Sequence, residues 1–114
     1  MDNDNQGMVL AALAEPTRRR VVELLSAGPR AAGQLAEETT VTAATMSKHL
    51  RVLRRSGLIE EQRQDQRDAR LRIYCLRPEP FLALEGWLRQ RLVFWGEQLE
   101  SFKDYVERVQ WGGT

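Results

Sequence analysis

A chain of 114 residues is long enough for one compact domain with one core and too short for two ordinary ones. Its 42% hydrophobic and 29% charged residues are a globular balance rather than a disordered one. Seventeen Lys and Arg against sixteen Asp and Glu leave a net charge of +1, a total that by itself neither implies a nucleic-acid partner nor excludes one. The single cysteine, Cys75, cannot form an internal disulfide, and with one histidine, His49, the chain lacks the ligands for a closed zinc site, so no metal or cofactor is expected. The segment from Met1 to Asn5 is acidic where a secretion signal needs positive charge. The apolar run from Met8 to Ala14 falls far short of the roughly 20 residues that span a bilayer. The expectation is a soluble, cytoplasmic protein with no membrane partner.

Pro16 suits the first position of a helix, where its missing N–H would be unpaired anyway. Behind it Val21, Val22, Leu24 and Leu25 recur at helical spacing until Gly28-Pro29 stops the run. A shorter helix fits Ala31 to Glu38, with Leu35 and Ala36 inward, and Thr39-Thr40-Val41 leaves room only for a turn. Thr42 then reads as an N-cap and Gly57 as the left-handed stop of a helix ending near Ser56. Leu58 to Arg63 and Arg70 to Leu76 read as two short strands around a polar tip. The alternation places Arg72, Tyr74 and Leu76 on one face and Leu71, Ile73 and Cys75 on the other, without saying which is buried. Pro78 and Pro80 open a long helix that runs to about Val109.

Two helices joined by a three- or four-residue turn are a common DNA-reading unit whose second helix enters the major groove. With Met46 at zero on a helical wheel, Leu50 and Leu53 fall within about 40° of it and define a buried stripe. Ala44, Lys48, Arg51 and Arg55 land opposite, flanked by Thr45 and Ser47, and nothing acidic lies between Val41 and Leu58. Small residues at the helix start, from Thr42 on, let the backbone approach bases, while the cations can meet phosphates or guanine edges. A charged stripe alone is usually a solvated face. Here it is of one sign, follows a tight turn and precedes a hairpin, which favours DNA contact. His49 sits on the shoulder of the wheel, nearer the core, where packing or a phosphate bond suits it better than base reading.

Leu13-Ala14-Glu15-Pro16-Thr17-Arg18-Arg19-Arg20, Gln34-Leu35-Ala36, Met46-Ser47-Lys48-His49-Leu50-Arg51-Val52-Leu53 and Gly57-Leu58-Ile59 resemble the ArsR-type family of bacterial winged-helix repressors. The resemblance spans roughly residues 8 to 109 and implies a homodimer that binds a palindromic operator and is released by a signal. It makes residues 42–56 the recognition helix, 58–76 the wing and 80–109 the dimerisation helix of a single winged helix-turn-helix domain. Metal-sensing members carry a Cys-x-Cys motif at the first motif helix, or His and acidic residues on the terminal helices. Ala31 to Glu38 holds no cysteine and the last helix no histidine, so metal sensing is not carried over. The wing tip also lacks the glycine often found there.

Within the wing, Arg67 and Arg70 are candidates to lie along the DNA backbone or minor groove, with a self-paired solubilising loop as the alternative. The Arg18-Arg19-Arg20 run points in three directions from a helix and reads as surface. In the long helix Leu88, Leu92, Trp95, Leu99, Phe102, Val106 and Val109 alternate steps of four and three, a heptad seam. Seven of the eight aromatic residues follow Pro80, more apolar surface than so small a domain can cover; packing against the Met8 to Ala14 helix of the same chain is the plainer alternative, and alongside it a second copy is expected against this helix and the N-terminal one, with Leu10 and Leu13 contributing.

The fold expected is mainly α with a small β-hairpin, and the function that of a dimeric, sequence-specific transcriptional repressor with double-stranded operator DNA and itself as partners. The competing class is a winged-helix interaction module whose basic face meets an acidic protein. No catalytic residues stand out: there is no phosphate-cradling loop, nucleophile elbow or acid–base pair. Control could come from a small-molecule effector, from Cys75 as a thiol sensor or from expression level alone; a lone strand cysteine is more often a packed hydrophobe. The charge total also resolves by segment: residues 1–15 carry −3, residues 16–56 carry +5, residues 57–77 carry +1 and residues 78–114 carry −2. A basic reading head lies between two acidic ends.

Overall fold

The computed structural model describes residues 2–62 and 72–112. The order is α1 (Asp2–Leu13), α2 (Pro16–Ser26), β1 (Arg30–Ala31), α3 (Ala32–Thr39), α4 (Ala43–Arg55), β2 (Ile59–Gln62), β3 (Ile73–Leu76) and α5 (Pro78–Gly112). The chain divides into two compact units, Met1–Leu82 and Ala83–Thr114.

Local chemistry sets most of the boundaries in the first unit. Pro16 occupies the first turn of α2, and the N-cap Glu15 accepts the Arg18 N–H at 2.9 Å through Oε2. The carbonyls at the end of α1 are closed by the arginines that follow. Arg18 donates from Nε to the Ala12 carbonyl and from Nη2 to that of Ala11 at 3.1 Å, and Arg19 donates from Nη1 to those of Leu13 and Ala14 at 2.9 and 3.2 Å. Arg20 instead pairs with Glu23 on its own helix. Two members of the arginine run thus hold α1 to the start of α2.

Helix α3 begins one residue later than expected, because Arg30-Ala31 forms a short strand. Arg30 pairs with Tyr74 and Ala31 with Ile73, so the sheet has three antiparallel strands in the order β1-β3-β2 instead of a two-stranded hairpin. β2 and β3 pair Ile59 with Leu76, Glu60 with Cys75, Glu61 with Tyr74 and Gln62 with Ile73. Leu58 and Arg72, expected within the strands, fall just outside them, and Arg63, Arg70 and Leu71 lie outside the described residues. Tyr74 is buried, so the face it shares with Arg72 and Leu76 turns inward at that point. Val9 and Ala12 of α1, Val21 and Leu25 of α2, Leu35 and Ala36 of α3, and Met46, Leu50 and Leu53 of α4 join Leu58, Ile59 and Tyr74 in one core. Helix α1 packs on α2 and α4, and α3 packs on α4.

The second unit is helical. Helix α5 runs for 35 residues, through Gly86 and Gly96, whose Cβ positions are open. Leu88, Leu92, Trp95, Leu99, Phe102 and Val109 of the predicted seam are exposed and Val106 is half-buried. Leu10 on α1 is also exposed, and Leu13 half-buried.

Candidate nucleic-acid interface

The turn between α3 and α4 is built from backbone hydrogen bonds. Thr40 takes a left-handed conformation (φ 56°), its N–H donates to the Glu37 carbonyl, and the Val41 N–H reaches back to Ala36. This is a Schellman ending, with threonine where glycine or asparagine is usual. Thr42 then caps α4: its Oγ1 accepts the Thr45 N–H at 3.1 Å and donates to Thr45 Oγ1 at 2.9 Å. At the far end the Gly57 N–H donates to Arg54 and the Leu58 N–H to Leu53, a second Schellman ending in which Gly57 (φ 81°) is the left-handed residue. Leu53 and Leu58, both fully buried, supply the apolar contact that accompanies this motif.

With both ends fixed, α4 has one rotation. Met46, Leu50 and Leu53 face the core, and Thr42, Ala44, Thr45, Ser47, Lys48, Arg51 and Arg55 are exposed. Six of these candidates lie on the outer side of α4, and Thr42 stands at its N-cap. The eighth on α4, His49, is 15% exposed and sits at the contact with α2, its Nδ1 3.8 Å from Glu15 Oε2 and 3.4 Å from Arg18 Nη1. That geometry ties α4 to the start of α2. The wing candidates Arg67 and Arg70 lie outside the described residues.

Between α4 and the sheet lies an open cleft of about 480 Å³ lined by Ser47, Arg51, Arg54, Arg55, Arg72 and Tyr74 among others. Arg54 and Arg72 are not among the residues the sequence singles out for DNA contact, although Arg72 is one of the wing cations. On the wheel, Arg54 falls about 80° from Met46, neither core nor stripe, and Arg72 reaches the cleft only once β3 is paired. Two guanidiniums from the stripe and two from outside it therefore border one depression. The two from outside it share a described counter-ion, Glu61, which pairs with Arg54 at 3.5 Å and with Arg72 at 3.9 Å.

Cys75 is half-buried in β3, and its Sγ donates to Glu60 Oε1 at 3.6 Å. Burial and the adjacent Glu60 carboxylate push its thiol above the ordinary range, more than Arg77 pulls it down. A thiolate is disfavoured there, which is the opposite of a reactive sensor's surroundings. Among the described residues no cluster of His, Cys, Asp and Glu is arranged to hold a metal, and no helix is long and apolar enough to cross a membrane.

Comparison with known proteins agrees with this geometry. The helix-turn-helix domain family matches residues 13–62. HTH-type transcriptional regulator Rv2034 of Mycobacterium tuberculosis is 34% identical over 96 residues, covering 84% of this chain and 83% of its own. The transcriptional repressor SdpR of Bacillus subtilis is 34% identical over 58 residues, 51% of this chain and 64% of its own. Among solved structures, the ArsR family transcriptional regulator RHA00566 superposes with a TM-score of 0.74 at 33% identity, over 82% of this chain and 93% of that one. A homodimeric winged helix-turn-helix DNA-binding domain from Mycobacterium bovis gives 0.60 at 28% identity, over 86% and 84%.

Proposed function

Since the chain belongs to the ArsR family of winged helix-turn-helix transcriptional regulators, we propose that it acts in the cytoplasm as a homodimeric repressor that reads a palindromic operator. The two compact units would then work as one domain, with a DNA-reading body and a dimerisation arm. The observation that carries this reading is the outer face of α4, where Ser47, Lys48, Arg51 and Arg55 stand exposed opposite a fully buried Met46-Leu50-Leu53 stripe. A two-fold axis would present two such faces to half-sites about one helical turn, or a multiple of it, apart. Ala44, Thr45 and Ser47 let the helix start approach base edges, and Lys48, Arg51 and Arg55 supply charge for guanine edges or phosphates. Arg67 and Arg70 would extend the contact along the backbone. Repression is supported by the likeness to SdpR, and dimerisation by the M. bovis domain and by the exposed apolar seam of α5. Selection from a pool of randomised duplexes, followed by footprinting, tests the reading. The expected result is one enriched palindrome protected over two half-sites. Enrichment of no sequence, with affinity for any duplex alike, would favour an acidic protein as the partner instead.

A further inference from the structure

Two of the cleft's cations come from different elements, Arg54 from α4 and Arg72 from the residue before β3, and one carboxylate reaches both. Glu61 Oε2 lies 3.5 Å from Arg54 Nη1, and Glu61 Oε1 lies 3.9 Å from Arg72 Nε. The register accounts for the arrangement. Glu61 pairs with Tyr74 and so shares its face of the sheet, as does Arg72 two residues before it, whereas Glu60 takes the other face and pairs with Arg77 at 3.9 Å. Exposure is uneven across the triad. The Glu61 side chain is 24% exposed, those of Arg54 and Arg72 are 50% and 67%, so the cations stay accessible while their shared anion is largely covered.

A carboxylate and a phosphodiester offer a guanidinium the same thing, two anionic oxygens in a plane. We propose that Glu61 is an internal competitor for DNA backbone phosphate at Arg54 and Arg72, and so sets how tightly the protein holds DNA of any sequence. The inference rests on the DNA-binding reading above and adds two phosphate ligands and their regulator to it. A phosphate entering the cleft has to displace the Glu61 pairing before it gains the two arginines. Solvent-exposed ion pairs are individually weak, so the brake is mild, and it fades as salt rises. It acts on the backbone contribution, which carries no sequence information, and leaves base contacts from the α4 stripe untouched.

The test uses the whole chain and a fluorescein-labelled duplex of scrambled sequence, titrated by anisotropy at several salt concentrations. Glu61→Gln is expected to bind about threefold more tightly at low salt, with a plot of log affinity against log salt steeper by up to about 0.9, the increment for one further phosphate contact. Glu60→Gln removes the same charge from the other face of the sheet and is expected to gain less than half as much. In an Arg54→Ala background the gain from Glu61→Gln shrinks. Both glutamines preserve side-chain shape, and unchanged melting temperatures check that folding is intact. Equal gains from Glu60→Gln and Glu61→Gln, an undiminished gain in the Arg54→Ala background, or no gain at all would overturn the proposal. A wild-type chain that binds no duplex would overturn the DNA-binding reading as well, whereas one that binds while Glu61→Gln gains nothing overturns this inference alone.

Discussion

Glu15 shows how much a single side chain organises here. It caps α2 through the Arg18 N–H and faces His49 of α4, so it fixes the start of one helix and the seat of another. Partial desolvation pushes its carboxyl up, but the Arg18 N–H, the nearby His49, the Thr17 N–H and the Arg18 guanidinium together hold it below the usual range for a glutamate. A folded-state value lower than the unfolded one means the carboxylate contributes stability above the unfolded value, and that the contribution is lost as pH falls through the folded one. Glu15→Gln is therefore expected to melt below wild type at neutral pH, with the gap closing below about pH 4. Thermal melts between pH 3 and 7 check this, and a gap that stays constant with pH would contradict it. The same neighbourhood explains the arginine run. As sequence, Arg18-Arg19-Arg20 points three ways and reads as surface; in the fold, Arg18 and Arg19 find the open carbonyls of α1, which only the α1–α2 corner brings within reach.

At the scale of elements, what was legible was what is locally encoded. Thr42 and Gly57 mark the ends of α4 because a cap and a left-handed stop depend on a few consecutive residues. Gly57→Ala is expected to cost about 1–2 kcal/mol, since φ 81° strains any residue with a Cβ. Chemical denaturation measures it, and an alanine variant as stable as wild type would contradict the capping account. What was not legible depends on distant partners. Arg30-Ala31 follows Pro29 with no alternation to announce a strand, and it becomes one only because Tyr74 and Ile73 lie alongside. Thr40 carries no signal of its left-handed backbone, since threonine is rarely chosen there. The outer stripe of α4 was readable from one wheel, because the buried positions Met46, Leu50 and Leu53 fix the helix's rotation by themselves. The cleft was not, because it is bordered by Arg54 and Arg72, from elements that meet only in the folded chain.

For the molecule as a whole, the +1 total conceals a division of labour. The segment from Pro16 to Ser56, which contains α2, α3 and α4, carries +5, while the ends that hold α1 and α5 carry −3 and −2. Doubling such a chain about a two-fold axis doubles the basic face without making the protein an indiscriminate polycation. Helix α5 extends about 50 Å at the usual rise, and exposes Leu92, Trp95, Leu99 and Phe102 at 60% or more each. Such an apolar row on a protein of this size is the surface proposed to pair with a second copy. Trp95→Glu is expected to keep its helical circular dichroism and to sediment as a monomer that binds DNA weakly. An intact dimer would rule out the α5 seam as the interface.

Whether the exposed face of α4 reads DNA is decided by a salt titration. The affinity of wild type, Arg51→Ala and the Lys48→Ala/Arg51→Ala/Arg55→Ala triple variant for the selected duplex would be measured across salt concentrations. Arg51→Ala is predicted to lose about 1–3 kcal/mol if Arg51 touches a base, and the triple variant to show a salt slope shallower by about 0.9 for each phosphate contact removed. Affinity and slope both unchanged in the triple variant would contradict DNA reading by this face.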